Sequence, residues 1–258
     1  MSRLQALFSI KKEQVLNVYC TAGFPNLDST ISVMKSLQKN GANIIELGMA
    51  YSDPLADGPV IQQSSLQALA NGMTIATLFS QLKDFRKDIT VPVVLMGYMN
   101  PVLQFGFENF CKEAASVGID GLIIPDLPVH EFETEYGPVI KKYGLDFVFL
   151  ITPETSAERV ELLDSLSSGF LYAVSSSSTT GSGAKGISKS YLDSLRSLAL
   201  KNPVLIGFGI KDRESFLEAS SGANGAIIGS AYIKALQEGA DIEGTTKQFL
   251  GSVLGLHN

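Results

Sequence analysis

The sequence predicts an α/β protein, a single-domain (β/α)8 TIM barrel over residues 1–258. Three observations lead to this fold class: eight short apolar runs, helix-like segments between them, and no Gly-, Ser- or Pro-rich linker within the 258 residues. Strands and helices that alternate along a chain form parallel sheets through right-handed βαβ units. A count of eight favours closure into a barrel. An open doubly wound sheet is the structural alternative.

The eight apolar runs have the pattern of strands that are buried on both faces. They are nearly continuous apolar segments rich in β-branched residues, whereas a half-exposed strand alternates polar and apolar residues. Their predicted bounds are 17–22, 43–48, 91–98, 119–125, 145–152, 169–175, 203–208 and 224–229.

Segments with helical periodicity lie between these runs. Their predicted bounds are 29–37, 73–85, 107–117, 129–143, 156–166 and 190–200. Asp28 is a candidate N-cap for the first of them. An extra N-terminal helix within residues 3–14 is expected to cover the barrel floor, and a short helix is expected after the eighth strand, starting at Ser230.

The bulk composition excludes several function classes. A net charge of −6 without a dense run of Lys or Arg argues against a nucleic-acid surface. No stretch of about 18 apolar residues and no cleavable leader pattern occurs, so we expect a cytoplasmic protein without membrane attachment. Two isolated cysteines and two distant histidines form neither a disulfide framework nor metal-ligand spacing, and the sequence therefore predicts no metal site.

One carboxylate stands at the end of the second predicted strand, where TIM barrels carry their chemistry. Glu46 is flanked by apolar residues and shares a strand face with Ile44, because side chains alternate along a strand. If that face lines the barrel, desolvation raises the pKa of Glu46 and suits it to proton transfer near neutral pH. A salt-bridged structural glutamate is the alternative.

The loop that follows this strand carries two further acids. Asp53 and Asp57 lie within the segment YSDPLADGP, which two prolines stiffen. Loops at this face of a barrel carry function. Each aspartate taken alone is better explained as a turn residue or a helix cap.

Glycine-containing turns follow the last three predicted strands. They lie at residues 180–183, 207–209 and 229–230, and the last turn leads directly into a helical segment. The free N–H groups of a helix start attract anions, and barrels commonly bind phosphate at this position. The sequence therefore indicates a phosphorylated ligand.

The segment ELGMAYSDPLADGPVIQ, residues 46–62, closely resembles the signature of the tryptophan synthase α-subunit family. The resemblance extends over essentially the whole chain. Further matching segments are residues 21–25, 97–101, 125–128, 172, 180–181, 207–209 and 229–230.

This resemblance implies a lyase that cleaves indole-3-glycerol phosphate to indole and glyceraldehyde 3-phosphate without a cofactor or metal. It implies that Glu46 is the main acid–base group and that Asp57 accepts from the indole N–H and stays ionised. It places Tyr172 in the site and links Thr180 to Asp57 through a closing loop. The implied phosphate ligands are Gly181, Gly209, Gly229 and Ser230.

The resemblance also implies a partner, the tryptophan synthase β subunit, in an α2β2 heterotetramer whose pyridoxal phosphate belongs to the β chain. Asp53, Asn100 and Pro101 match the family's interface positions. Phe24 and Ser178 depart from the family pattern, where Asp and Gly are usual. Two alternatives remain: a stand-alone lyase that releases free indole, and a non-catalytic barrel that only activates a β partner.

Overall fold

The computed structural model describes residues 1–174, 189–207 and 209–256. Within these ranges nine short strands form one parallel sheet in the order β5-β4-β3-β2-β1-β9-β8-β7-β6. The strands are β1 (Val15–Thr21), β2 (Ile44–Gly48), β3 (Val93–Met96), β4 (Gly121–Ile123), β5 (Asp146–Phe147), β6 (Leu150–Ile151), β7 (Leu171–Val174), β8 (Val204–Gly207) and β9 (Gly225–Ile228).

The two strands at the ends of this order, β5 and β6, are consecutive pieces of one barrel strand. Only Val148 and Phe149 separate them, and their backbones continue the sheet: the Val148 N–H donates to the Leu122 carbonyl and the Phe149 carbonyl accepts from Tyr172, each at 3.0 Å. The first piece pairs with β4 and the second with β7. The sheet therefore closes into the predicted eight-stranded barrel, and the strand predicted at 145–152 is divided in two.

Helices surround the barrel between the strands. They are α1 (Arg3–Ile10), α2 (Thr30–Lys39), α3 (Pro59–Ala70), α4 (Ile75–Leu82), α5 (Met99–Phe105), α6 (Phe107–Val117), α7 (Val129–Glu131), α8 (Gly137–Lys142), α9 (Ala157–Leu166), α10 (Lys189–Ser197), α11 (Arg213–Gly222), α12 (Ser230–Glu238) and α13 (Ile242–Leu254). No helix in the described ranges is long and apolar enough to span a membrane.

The structure corrects two details of the predicted helices. Asp28 is not an N-cap, because it lies inside a single 3-10 turn, Leu27–Ser29, that precedes α2. The helix predicted at 129–143 is interrupted by a π-helical turn, Phe132–Tyr136. Pro138 has no N–H to donate to the preceding turn, and the helix widens just before it.

The N-terminal helix α1 covers the floor of the barrel, as predicted. Its start is a capping box in which Ser2 and Gln5 exchange side-chain and backbone hydrogen bonds. Leu4 is fully buried, and the Phe8 ring packs 6.3 Å from that of Phe170, just before β7. The opposite, C-terminal end of the strands is left for the polar side chains described next.

Candidate active site

Glu46 lies inside the barrel near the C-terminal end of β2. It is paired in register with Tyr19 of β1 and Val94 of β3, and only 1% of its surface is exposed. Its Oε2 accepts a hydrogen bond from Asn17 Nδ2 at 2.8 Å. None of the ion pairs among the described residues involves Glu46, so the salt-bridged alternative finds no support.

The environment of Glu46 favours its protonated form. Burial raises the pKa of this carboxyl to about 8, the negative charge of Asp57 acts in the same direction, and the hydrogen bond from Asn17 opposes both. A carboxyl with a pKa near the working pH can both give and take a proton. The expected direction of the shift is therefore found, and burial is its main cause.

Asp57 lies in the turn between β2 and α3, directly before Gly58 and Pro59 begin that helix. Its carboxylate accepts a hydrogen bond from the hydroxyl of Tyr98 at 2.9 Å, and the same hydroxyl accepts from the Ala56 N–H at 3.1 Å. Burial raises the pKa of Asp57 to about 6, and the bond from Tyr98 opposes that rise. Near neutral pH Asp57 is therefore largely ionised while Glu46 is largely protonated.

Two buried tyrosines, Tyr19 of β1 and Tyr172 of β7, lie near both carboxyl groups. Burial raises the pKa of both well above the ordinary value, and the charges of Glu46 and Asp57 add to the effect, so both hydroxyls stay protonated. A methyl carbon added to Gly48 would lie 2.0 Å from the Tyr19 hydroxyl, and one added to Gly207 would lie 2.3 Å from that of Tyr172. Both glycines leave room for these rings.

The glycine-rich end of the site adjoins Tyr19. Gly229 directly precedes α12, and its Cα approaches the Tyr19 side chain closely enough that an added methyl carbon would be 3.5 Å from Tyr19 Cβ. Ser230 opens α12, whose first-turn N–H groups lack partners within the helix. Gly209 takes a positive φ of 77°, which favours glycine. Thr180, Gly181 and Ser178 lie outside the described residues.

The residues assigned to a partner surface lie on the outer rim of the same face. Asp53 and Asn100 are exposed and Pro101 is half-buried. Asn100 Nδ2 donates to the Tyr51 hydroxyl at 3.3 Å, and the Tyr51 ring packs 5.5 Å from that of Tyr98. This rim is therefore joined to Asp57 through Tyr98. The side chain of Phe24, one of the two departures, is buried in the core.

Three site residues were missed as such from the sequence: Asn17, Tyr19 and Tyr98. A usable signal existed for two of them, because Asn17 and Tyr19 alternate on an apolar strand as Ile44 and Glu46 do. Tyr98 lies within the matching segment 97–101, but nothing local indicated its contact with Asp57, which is 41 positions away. Residues 1–174, 189–207 and 209–256 contain no group of three or more His, Cys, Asp or Glu side chains that could hold a metal ion.

Comparison with known proteins gives one consistent result. A family model described as "Tryptophan synthase alpha chain" matches residues 6–253. The tryptophan synthase alpha chain of Flavobacterium johnsoniae is 51% identical over 243 residues, 93% of this chain and 95% of that protein. The alpha chain of Bacteroides thetaiotaomicron is 44% identical over 245 residues, 94% of this chain and 96% of that protein.

Solved structures agree with the sequence comparison. The tryptophan synthase α-subunit of Pyrococcus furiosus superimposes with a TM-score of 0.85 at 37% identity, covering 95% of this chain and 99% of that one. A chain of Mycobacterium tuberculosis tryptophan synthase superimposes with a TM-score of 0.85 at 28% identity, covering 98% of each chain.

Proposed function

The chain belongs to the tryptophan synthase alpha chain family, and we propose that Glu46 and Asp57 perform its lyase reaction, the cleavage of indole-3-glycerol phosphate to indole and glyceraldehyde 3-phosphate. One observation carries the assignment of these residues. Two carboxyl groups share a buried barrel mouth, and their pKa values are raised to about 8 and about 6. Paired titratable groups with separated pKa values are the usual sign of distinct acid–base roles.

The proposed task of Glu46 is proton transfer. Cleavage breaks the bond between the indole ring carbon and the hydroxyl-bearing carbon of the side chain. The ring carbon gains a proton and the hydroxyl group loses one as it becomes an aldehyde. A single carboxyl that first donates to the ring carbon and then accepts from the hydroxyl ends in its starting state. A pKa near neutral pH supports both steps.

The proposed task of Asp57 is electrostatic. Protonation of the ring carbon places positive charge on the indole, and an ionised carboxylate that accepts from the indole N–H stabilises that charge. The hydroxyl of Tyr98 holds this carboxylate from the side at 2.9 Å. We assign the phosphate to Gly181, Gly209, Gly229 and Ser230, with Tyr172 beside the substrate and Thr180 on the loop that closes over Asp57.

An alpha chain of this family has a β-subunit partner. We propose an α2β2 heterotetramer in which the rim with Asp53, Asn100 and Pro101 meets the β subunit, and in which indole passes to that subunit. The pyridoxal phosphate of the assembly belongs to the β chain, and this chain uses no cofactor of its own. We propose a cytoplasmic location and a single barrel domain over residues 1–258.

The deciding experiment is an assay of indole release from indole-3-glycerol phosphate, with and without a β subunit. We expect slow cleavage by the chain alone and faster cleavage when the β subunit is added. Full activity without a β subunit would favour a stand-alone lyase. No cleavage under either condition would leave only a barrel that activates its partner.

A pair of variants tests the division of labour within the site. Asp57→Asn should lower kcat by about a hundredfold and leave KM nearly unchanged, because it removes charge needed in the transition state. Ser230→Ala should do the opposite, raising KM several-fold at an almost unchanged kcat. If Asp57→Asn raised KM by as large a factor as it lowered kcat, its assigned role beside the indole ring would be wrong.

A further inference from the structure

We infer that Asn17 is a positioning residue that holds the Glu46 carboxyl group in one orientation in both of its protonation states. This inference rests on the proposed acid–base role of Glu46. It concerns a side chain two positions before Tyr19 on β1, which therefore points to the same face of the strand.

The contact between the two side chains is direct and buried. Asn17 is fully buried and Glu46 is 1% exposed. Asn17 Nδ2 donates to Glu46 Oε2 at 2.8 Å, a length typical of a hydrogen bond to a charged acceptor. The two residues are 29 positions apart and come together because β1 and β2 are neighbours in the barrel. An N–H donor at this place stabilises the ionised carboxylate.

The oxygen of the Asn17 amide can hold Glu46 in its protonated state. Asn17 Oδ1 is buried and has no hydrogen-bond partner among the residues that the structure describes. A buried acceptor without a partner is costly, and its presence calls for an explanation. Rotation of the amide by half a turn would exchange Nδ2 and Oδ1. The oxygen would then accept the O–H of protonated Glu46, since a carboxamide is both donor and acceptor.

The charges around Glu46 make a neutral partner appropriate. Asp57, in the loop after β2, acts on Glu46 with its negative charge and favours the protonated form. Tyr19 and Cys20 of β1 and Tyr172 of β7 also lie near Glu46, whose negative charge raises the pKa of each of them. None of these four groups can carry a positive charge. A Lys or Arg at position 17 would hold Glu46 ionised. The neutral Asn17 amide instead leaves the Glu46 carboxyl group free to titrate and holds it in place.

The experiment measures the titration of Glu46 directly. Infrared spectra of protein labelled with 13C-glutamate report the protonated carboxyl, and the Glu46 band is identified by its loss in Glu46→Gln. In Asn17→Leu, which keeps the branched shape but removes the donor, the pKa of Glu46 should rise by about one to two units. In Asn17→Asp it should rise further, because a second acid is added. A space-filling role for Asn17 predicts no change in Asn17→Leu.

Kinetics supply the second measurement. Both Asn17 variants should lower kcat by about tenfold or more at an almost unchanged KM, and the limb of the pH–kcat profile that follows Glu46 should move to higher pH. Val18→Ala, on the same strand but on its other face, controls for loss of stability. An unchanged Glu46 pKa in Asn17→Leu would overturn the inference. A shifted pKa with unchanged kcat would instead overturn the catalytic role of Glu46.

A measurement on the unmodified side chain guards against variants that fail to fold. The 15N resonances of the Asn17 amide should shift with the titration of Glu46 in the wild-type protein. An amide signal that is constant through this titration would also contradict the inference.

Discussion

The two ends of the barrel bury acids in opposite ways. At the C-terminal end of the strands, Glu46 has a neutral amide as its hydrogen-bond partner. At the N-terminal end, Asp120, 5% exposed, accepts from Arg3 Nη1 at 3.0 Å, from the Val93 N–H at 2.7 Å and from Arg86 Nη2. The first arrangement leaves a carboxyl free to titrate. The second satisfies a carboxylate with charge and fixed geometry.

The acid at the C-terminal end of the barrel is therefore suited to reaction, and the acid at the N-terminal end is suited to stabilising the fold. Arg86 also donates to the carbonyl oxygens of Gly118 and Val91, so the floor network ties α1 to the segments that lead into β3 and β4. Buried charges are stable when they are paired and fully hydrogen-bonded. A catalytic acid cannot be paired in this way, because a strong cationic partner would lower its pKa far from the working range.

The largest effect is expected at the catalytic end. Glu46→Gln keeps the size of the side chain but removes the titratable group, and kcat for indole release should fall by about a thousandfold. The free energy of unfolding near neutral pH should stay the same or increase, because a desolvated acid is removed. Steady-state kinetics and chemical denaturation measure the two quantities. A large loss of stability with intact activity would reverse the contrast.

At the floor of the barrel we expect a large loss of stability and little loss of activity. Asp120→Asn should lower the free energy of unfolding by about 3 kcal/mol, since it leaves the partly buried Arg86 without its counter-charge. The kcat of the folded variant should change less than about twofold. Asp84→Asn is a matched control, because its ion pair with Lys87 is exposed to solvent and such pairs contribute little to stability. If both variants lowered the free energy of unfolding equally, the floor network would contribute no more to stability than an exposed ion pair.

The pH dependence of stability gives a third test. The folded-state pKa of Glu46 is about 8, above its ordinary value of 4.5, so the folded state binds the extra proton between these values. The free energy of unfolding should therefore fall as pH rises towards 8, by at most about 1.4 kcal/mol per pH unit. Asp57 contributes in the same direction below pH of about 6. Denaturation of wild type and Glu46→Gln from about pH 6.5 to 8 isolates Glu46, and parallel curves would contradict its raised pKa.

The smallest effect concerns the partner of Asp57. Tyr98→Phe removes a donor to the ionised carboxylate, and the pKa of Asp57 should rise above about 6. We expect kcat to fall about three- to tenfold, a typical effect of one hydrogen bond to a charged group, with a larger loss at acidic than at alkaline pH. Tyr51→Phe removes a neighbouring hydroxyl that bonds to Asn100 and serves as the control. A pH-independent loss would mean that Tyr98 acts by packing alone.

Much of the architecture was predictable because its causes are local. The eight apolar runs indicate strands that are buried on both faces, and they correspond to the eight barrel strands. The helix α3 was missed for an equally local reason. Its buried residues Ile61, Ser64, Ser65 and Ala68 are mostly small or polar, so the sequence lacks the apolar stripe that predicts a helix. The break in the fifth strand, between Phe147 and Leu150, left no local signal.

The sequence by itself determined the fold class, the position of Glu46 on an apolar strand and the family to which the chain belongs. Only the tertiary structure decided which partner each acid has: Asn17 for Glu46, Tyr98 for Asp57, and Arg3 with Arg86 for Asp120. These pairs lie 29 to 117 positions apart. The physical reason is that hydrophobic periodicity shows only which face of a strand or helix is buried. The pKa of a buried acid depends on side chains from distant parts of the sequence, which come near it only when the barrel closes.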